Sequence, residues 1–279
     1  MMYIIIMIWT WLMERTWRHW RSRHTRKGRG ISLIVPFRAD SVEREETWLW
    51  LEKFYSKRLP KAEIIVGTDL FDGPFSKTVA MNDAARFATG DIFVILDADA
   101  LIDPKQIIEA AKRIREAREQ DKALYYVPYR RFYRLTHEAS SKKLTENPAR
   151  CSFPPDDRNS PDVEAMGPYG HSTGHWYGAL VQVLPREAWE LIGGFDERFR
   201  SWGGEDISIL RCLDTVFGKH KTLDAPVWAM WHPTHGVGTS RTWAGGTAFQ
   251  NSNLASRYNA AYGDRARMLD LCHEWQDAS

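Results

Sequence analysis

Asp97-Ala98-Asp99 sets two carboxylates one residue apart at the end of an apolar run, Ile92-Phe-Val-Ile-Leu96. Side by side they repel, and a cation between or beside them relieves the repulsion. Hard oxygen ligands suit Mg²⁺ or Mn²⁺, and an ion so held can grip a diphosphate. Alone, Asp-x-Asp is most often solvated loop. Its place behind an apolar strand and after Thr89-Gly90-Asp91 favours the metal reading.

Trp202-Gly203-Gly204-Glu205-Asp206 is a second constellation. Two glycines let backbone approach a ligand closely. An acid pair at a helix start is kept ionised by the helix dipole, and an ionised carboxylate in a cleft can act as a base toward a hydroxyl. The bland alternative is a turn closed by an N-capping Asp. Met230-Trp231-His232-Pro233-Thr234-His235 ends a strand with two histidines three apart, which suits a metal ligand at His232. A histidine satisfied within the core is the other use. His171 and His175 are acceptor-side candidates. Pro36-Phe37-Arg38, with Asp40 behind it, ends the first strand. Arg38 can pair with a diphosphate or a base ring, or simply form a surface salt bridge.

The elements that position these groups alternate. Ile31–Val35, Glu63–Val66, Asp91–Leu96, Ala123–Val127, Ala179–Val183 and Val227–Trp231 read as strands. Residues 43–58, 76–88, 104–120, 186–192 and 206–217 read as helices, with Thr89-Gly90 as a C-cap and Pro104 in a first turn. The alternation predicts an α/β fold whose mainly parallel sheet is covered on both faces. Ligands in such sheets bind at strand carboxyl ends, so Pro36 and the Asp97/Asp99 pair should face one crevice. Residues 144–178 and 233–250 read as long loops.

The 279 residues carry 38 Lys plus Arg against 36 Asp plus Glu, which argues against a chain-wide field for nucleic acid. Thirteen Trp exceed ordinary core needs and suit stacking on sugars or bases. The three cysteines, Cys151, Cys212 and Cys272, exclude a disulfide scaffold and a four-thiolate zinc site. They fit a reducing compartment, and the expected location is cytoplasmic. Met1 to Met13 are almost all apolar, but too few to span a bilayer, for which about 20 residues are needed. Positive charge follows them, from Arg15 to Arg29, rather than preceding them as in a secretory signal. Residues 1–29 are thus an extension before a single domain at 30–279. Three uses stay open for it: an interfacial membrane anchor, an element packed on the domain or docking a partner, and a basic arm that holds phosphates.

In order, Val35-Pro-Phe-Arg38, Asn82-Asp-Ala-Ala85 with Thr89-Gly90-Asp91, Asp97-Ala-Asp99, Tyr177-Gly178-Ala179, Ile192-Gly-Gly-Phe-Asp196, Trp202-Gly-Gly-Glu-Asp206 and His232 resemble a glycosyltransferase of the GT-A fold. The group most resembled contains β-1,4-galactosyltransferases, chondroitin-polymerase domains and polypeptide N-acetylgalactosaminyltransferases. The resemblance implies a Rossmann-like single domain with long acceptor-side loops. It implies a metal site of Asp99, His232 and Asp97, with Met230 similar to a further ligand. Pro36, Arg38 and Asp97 would line the nucleotide pocket, Gly178 would lie against the donor sugar, and Trp202 would stack on sugar beside Gly204. Glu205 would hydrogen-bond sugar hydroxyls, Asp206 would deprotonate the acceptor, and the loop with Trp243 would close as a lid. A UDP-sugar with Mn²⁺ or Mg²⁺ would serve as donor, and a protein, glycan or small molecule as acceptor. The Glu-Asp ending of the run favours inversion. Ile207 and Ser208 stand where the galactosyltransferases have further acids. Two alternatives share these residues: a phage-type transferase acting on hydroxymethylated DNA bases, with the N-terminal arm, Arg130, Arg131 and Arg134 on phosphates, and a non-catalytic carbohydrate-binding module.

Overall fold

A computed structural model describes residues 30–70, 73, 75–164, 179–201, 203–233 and 246–276. The elements run β1 (Ile31–Pro36), α1 (Val42–Arg58), β2 (Glu63–Gly67), α2 (Lys77–Ala85), β3 (Ile92–Leu96), β4 (Ala100–Leu101), α3 (Pro104–Arg118), β5 (Tyr126–Val127), β6 (Arg131–Arg134) and α4 (His137–Leu144). They continue with β7 (Val181–Pro185), α5 (Arg186–Ile192), α6 (Glu205–Val216), β8 (Lys221–Thr222), β9 (Pro226–Ala229), α7 (Gly246–Ala261) and α8 (Arg265–His273).

Six strands form one sheet in the order β2-β1-β3-β7-β5-β8. β7 runs antiparallel to both its neighbours, β3 and β5, and every other pairing is parallel. All five residues of β3 and all five of β7 are buried, as strands covered on both faces must be. A smaller sheet, β4-β9-β6, stands beside the carboxyl end of β3. It reaches the chain directly after Asp99, because Met230 N donates to the Asp99 carbonyl at 2.8 Å. Asp97 N donates to the Leu180 carbonyl and Ala100 N to that of Asp97. The acidic tip is therefore clamped between two sheets.

Local chemistry starts the helices where expected. Ser41 caps α1 through Arg44 N, and Asp103 caps α3 through Lys105 N with Pro104 in the first turn. Trp48, Leu51 and Tyr55 of α1 are buried, and Tyr55 Oη donates to the Ala100 carbonyl at 2.7 Å. At Gly67 an added Cβ would lie 1.9 Å from the Ala80 carbonyl oxygen, so this glycine lets α2 press onto β2.

Several expectations are corrected. Helix α2 stops at Ala85 with Arg86 as its cap, so Thr89-Gly90 is no C-cap. Gly90 instead passes so close to β1 that a Cβ would sit 2.6 Å from Gly30 O and Ser32 Oγ. The strand expected at 123–127 shrinks to Tyr126–Val127. The loop expected at 233–250 gives way to α7 from Gly246, and neither α7 nor α8 has apolar periodicity strong enough to declare itself. Two of the three cysteines are not free thiols: Cys212 of α6 and Cys272 of α8 form a disulfide across 60 residues. No spacing rule links them, and only the packing of the two helices brings them together. Among the described residues no helix is long and apolar enough to cross a membrane. Residues 1–29, and with them the readings of the N-terminal extension, lie outside the described residues.

Candidate active site

Lys77 is the first residue of α2, and its ammonium joins the two halves of the site. Nζ lies 2.6 Å from Asp97 Oδ1 and 2.7 Å from Asp206 Oδ1. The Asp206 contact is a hydrogen bond, whereas the Asp97 contact is an ion pair without hydrogen-bond alignment. Side-chain exposures of 14%, 19% and 23% for Lys77, Asp97 and Asp206 place all three in a crevice rather than on the surface. The carboxyl end of β3 and the first turn of α6 thus face each other.

The electrostatics follow from that crowding. Burial pushes the Asp206 carboxyl up to about 8, with Lys77 opposing the shift and the charges of Glu205 and Asp97 adding to it. Burial also raises Asp97, which Lys77 counters and Asp99 reinforces. Glu205 is raised by burial too, and its Oε2 accepts from Gly203 N at 2.9 Å. Burial alone would lower Lys77, but Asp206, Asp97 and Glu205 hold it above its ordinary value, so it stays charged.

Asp99 behaves oppositely. Burial would raise it, but the hydrogen bond and charge of His232, helped by Arg44 and Arg134, hold it below the ordinary carboxylate value. His232 Nε2 lies 3.5 Å from Asp99 Oδ2, and burial, which would lower the imidazole, is overcome by Asp99. Nδ1 of His232 lies 3.0 Å from the Pro233 carbonyl. A carbonyl only accepts, so Nδ1 carries a proton. In the neutral ring Nε2 then turns a lone pair toward a carboxylate, an arrangement that a cation completes. One nitrogen and hard carboxylate oxygens form a donor set that suits Mn²⁺ or Mg²⁺. Among the described residues no three His, Cys, Asp or Glu side chains converge into a closed metal cage, so the site is an acidic tip plus one imidazole. Met230 is 1% exposed and packs in the apolar core.

Pro36 is buried at the end of β1. Arg38 forms the salt bridge that was its alternative use, with Asp69 Oδ2 at 3.3 Å, and its guanidinium lies 5.3 Å from the centroid of Phe75. Asp69 also accepts from Ser76 N at 2.8 Å, while its Oδ1 is buried with no hydrogen-bond partner among the described residues. Gly204 has φ of 91° as the N-cap of α6. Its missing side chain faces Ala255 and Phe199, 3.1 and 3.2 Å from where a Cβ would stand, so helix packing also demands glycine there. Gly178, Trp202, His171, His175, His235 and Trp243 lie outside the described residues. Arg131, offered above to phosphates, is engaged by Asp156 and Asp224.

Three stretches of the resemblance turn out to be scaffold. Thr89-Gly90-Asp91 sits at the opposite end of β3 from Asp97, where Glu63 accepts from Thr89 and Gly90, and Asp91 pairs with Arg115 and Arg118. Asn82 bonds Phe195 N and O, locking the Gly193-Gly194-Phe195-Asp196 turn. Asp196 in turn accepts from Arg198 and Tyr258. Lys77 was missed altogether. The available signal was a lysine at the start of a helix, where the dipole disfavours a cation unless acids lie opposite. Tyr129 was missed as well. Its buried hydroxyl donates to the Ala179 carbonyl, and its pKa is raised by burial and by the charges of Asp206 and Asp97.

Residues 40–163 match the family model described as Glycosyl transferase family 2, and residues 163–214 match that described as N-terminal domain of galactosyltransferase. Both models describe glycosyltransferases, and between them they match residues 40–214. The first match holds Lys77, Asp97 and Asp99, and the second holds Glu205 and Asp206. Among solved structures the chain is similar to the catalytic domain of Drosophila β1,4-galactosyltransferase 7 in complex with xylobiose. Identity there is 15% over 70% of this chain and 65% of that one, with a TM-score of 0.39. It is also similar to GalNAc-T7 with UDP, GalNAc and Mn²⁺, at 12% identity over 88% of this chain and 55% of that one, with a TM-score of 0.47. The chain thus spans less than two thirds of either of these two chains. No curated protein matches it.

Proposed function

We propose that the chain is a glycosyltransferase of GT-A type that moves a sugar from a UDP-sugar to an acceptor hydroxyl on a protein, glycan or small molecule, with inversion at the anomeric carbon. The observation that carries this reading is the Asp97–Lys77–Asp206 chain, because it sets a candidate base across one crevice from the acidic tip. Asp99, His232 and Asp97 would hold Mn²⁺ or Mg²⁺. A divalent ion bound there supplies Lewis-acid neutralisation of charge on the departing diphosphate. UDP and Mn²⁺ are the nucleotide and metal of the GalNAc-T7 complex, and the N/O donor set here suits the same ion.

The chain's own residues do the rest. Asp206 takes the proton of the attacking hydroxyl, and its burial, reinforced by the charges of Glu205 and Asp97, makes it a stronger base than an exposed carboxylate. Lys77 holds Asp206 and Asp97 at fixed places and keeps a fraction of Asp206 ionised near neutrality. Glu205, fixed by Gly203 N, offers its free oxygen to a sugar hydroxyl. Pro36 and Arg38 border the nucleotide. Attack from the Asp206 side, opposite the leaving group, inverts the centre in one displacement.

Release of UDP from a panel of UDP-sugars, with Mn²⁺ and mixed acceptors, tests the reading; a panel with no turnover sinks it. The pH profile adds a second check. Asp206 works only when ionised, so the rate climbs with pH through about 8 and then levels. Lys77 lowers the Asp206 pKa, so Lys77→Met moves the limb to higher pH and cuts the rate at neutrality. A limb that stays in place in Lys77→Met contradicts the assigned coupling.

A further inference from the structure

We propose that the groove between α6 and α7 binds an anionic substituent on an acceptor saccharide, with Arg211 as its anchor. This rests on the transferase reading above and extends it to the acceptor. The groove encloses about 250 Å³, and Gly203, Gly204, Arg211, Ser252, Ser256 and Asn259 line it. Gly203 and Gly204, which directly precede Glu205 and Asp206, form part of its wall, so it lies beside the start of the helix that carries the candidate base. Arg211 lies five residues beyond Asp206 on the same helix, about 7.5 Å further along its axis and about 140° round it, so a saccharide joining the two passes over the side-chain-free glycine pair at the helix start. A short oligosaccharide spans that distance.

The charge in the groove is uncompensated. Arg211 is partly buried, and no Asp or Glu lines the groove with it. Among the described residues Arg211 makes no ion pair, hydrogen bond or ring contact. Its neighbours contrast with it: Arg198 is held by Asp196 and Glu274, Arg257 by Glu274, and Arg265 by the Val216 carbonyl. A partly buried guanidinium without a protein partner gains from a ligand that supplies one, and its planar fork matches a carboxylate or phosphate ester. The remaining lining suits sugar hydroxyls. Ser252 and Asn259 are exposed, and their side chains make no hydrogen bond among the described residues. Ser256 Oγ donates to the Ser252 carbonyl and keeps lone pairs to accept. Asn251 is already committed to Arg200 N and O and acts as a strut.

Calorimetry on the full chain tests the proposal without needing turnover. The probes are a tetrasaccharide of alternating glucuronate and N-acetylglucosamine, the same tetrasaccharide with its carboxylates reduced to alcohols, and maltotetraose monophosphate beside maltotetraose. A charged probe is expected to bind roughly tenfold or more tightly than its neutral partner, the range of a hydrogen bond to a charged group. Arg211→Gln should erase that difference with an unchanged melting temperature, and Arg211→Lys should restore part of it. Whichever charged probe binds identifies the anion as carboxylate or phosphate ester. Equal binding of charged and neutral probes, no binding of any, or a preference that survives Arg211→Gln overturns the proposal. If charged probes bind through Arg211 but no UDP-sugar turns over, the transferase reading fails and the groove assignment stands.

Discussion

Asp206→Asn is expected to slow sugar transfer by roughly 10²–10⁴-fold, the usual contribution of a positioned general base, while UDP affinity stays nearly constant. The substitution is close to isosteric. The amide oxygen can still accept from Lys77, so the crevice keeps its shape. What disappears is a group able to take a proton. The raised pKa of Asp206 makes the loss large, because a base near 8 is far better matched to a hydroxyl at neutral pH than an exposed carboxylate. Single-turnover rates with calorimetric UDP binding separate the two effects. Undiminished turnover with intact UDP binding would place the base elsewhere. Glu205→Gln is a weaker companion, since Gly203 N still finds an acceptor.

Asp99→Ala is expected to abolish the dependence of nucleotide affinity on Mn²⁺. The carboxylate is held below its ordinary pKa by His232, Arg44 and Arg134, so it is charged across the working pH range. Deleting one member of a buried charge set costs roughly 3–5 kcal/mol, which is more than about a hundredfold in an affinity that relies on it. Thermal shift and calorimetry, each with and without Mn²⁺, read the effect directly. The same Mn²⁺-dependent gain in wild type and variant would refute the assignment of Asp99. His232→Ala should weaken the gain less, because it removes a neutral ligand rather than a charge.

Much of this architecture was legible because its signals are local. Ile31–Val35, Glu63–Val66 and Ile92–Leu96 are apolar runs bounded by turn residues, and each became a strand within a residue or two. Pro104 announced the first turn of α3. Asp97 and Asp206 were legible because acids after a buried strand and after a glycine pair are costly unless used. The missed features are all long-range. Lys77 reads as an ordinary helix-start residue until residues 97 and 206 are brought to it. The Thr89-Gly90-Asp91 and Asn82 stretches look like ligand contacts in sequence. Their hydrogen bonds, to Glu63, Arg115 and the Phe195 backbone, are scaffold contacts between residues tens of positions apart. The Cys212–Cys272 pair and the antiparallel β7 escaped for the same reason: neither leaves a periodic trace, and both follow from how finished elements pack.

The central claim is that a cation at Asp99 and His232 faces Asp206 across one sugar-binding crevice. Anomalous diffraction from crystals grown with Mn²⁺ and UDP locates that ion most directly. One manganese peak is expected beside Asp99 and His232, on the side toward Asp206, with the diphosphate against it. A peak elsewhere, or none at full UDP occupancy, would contradict it.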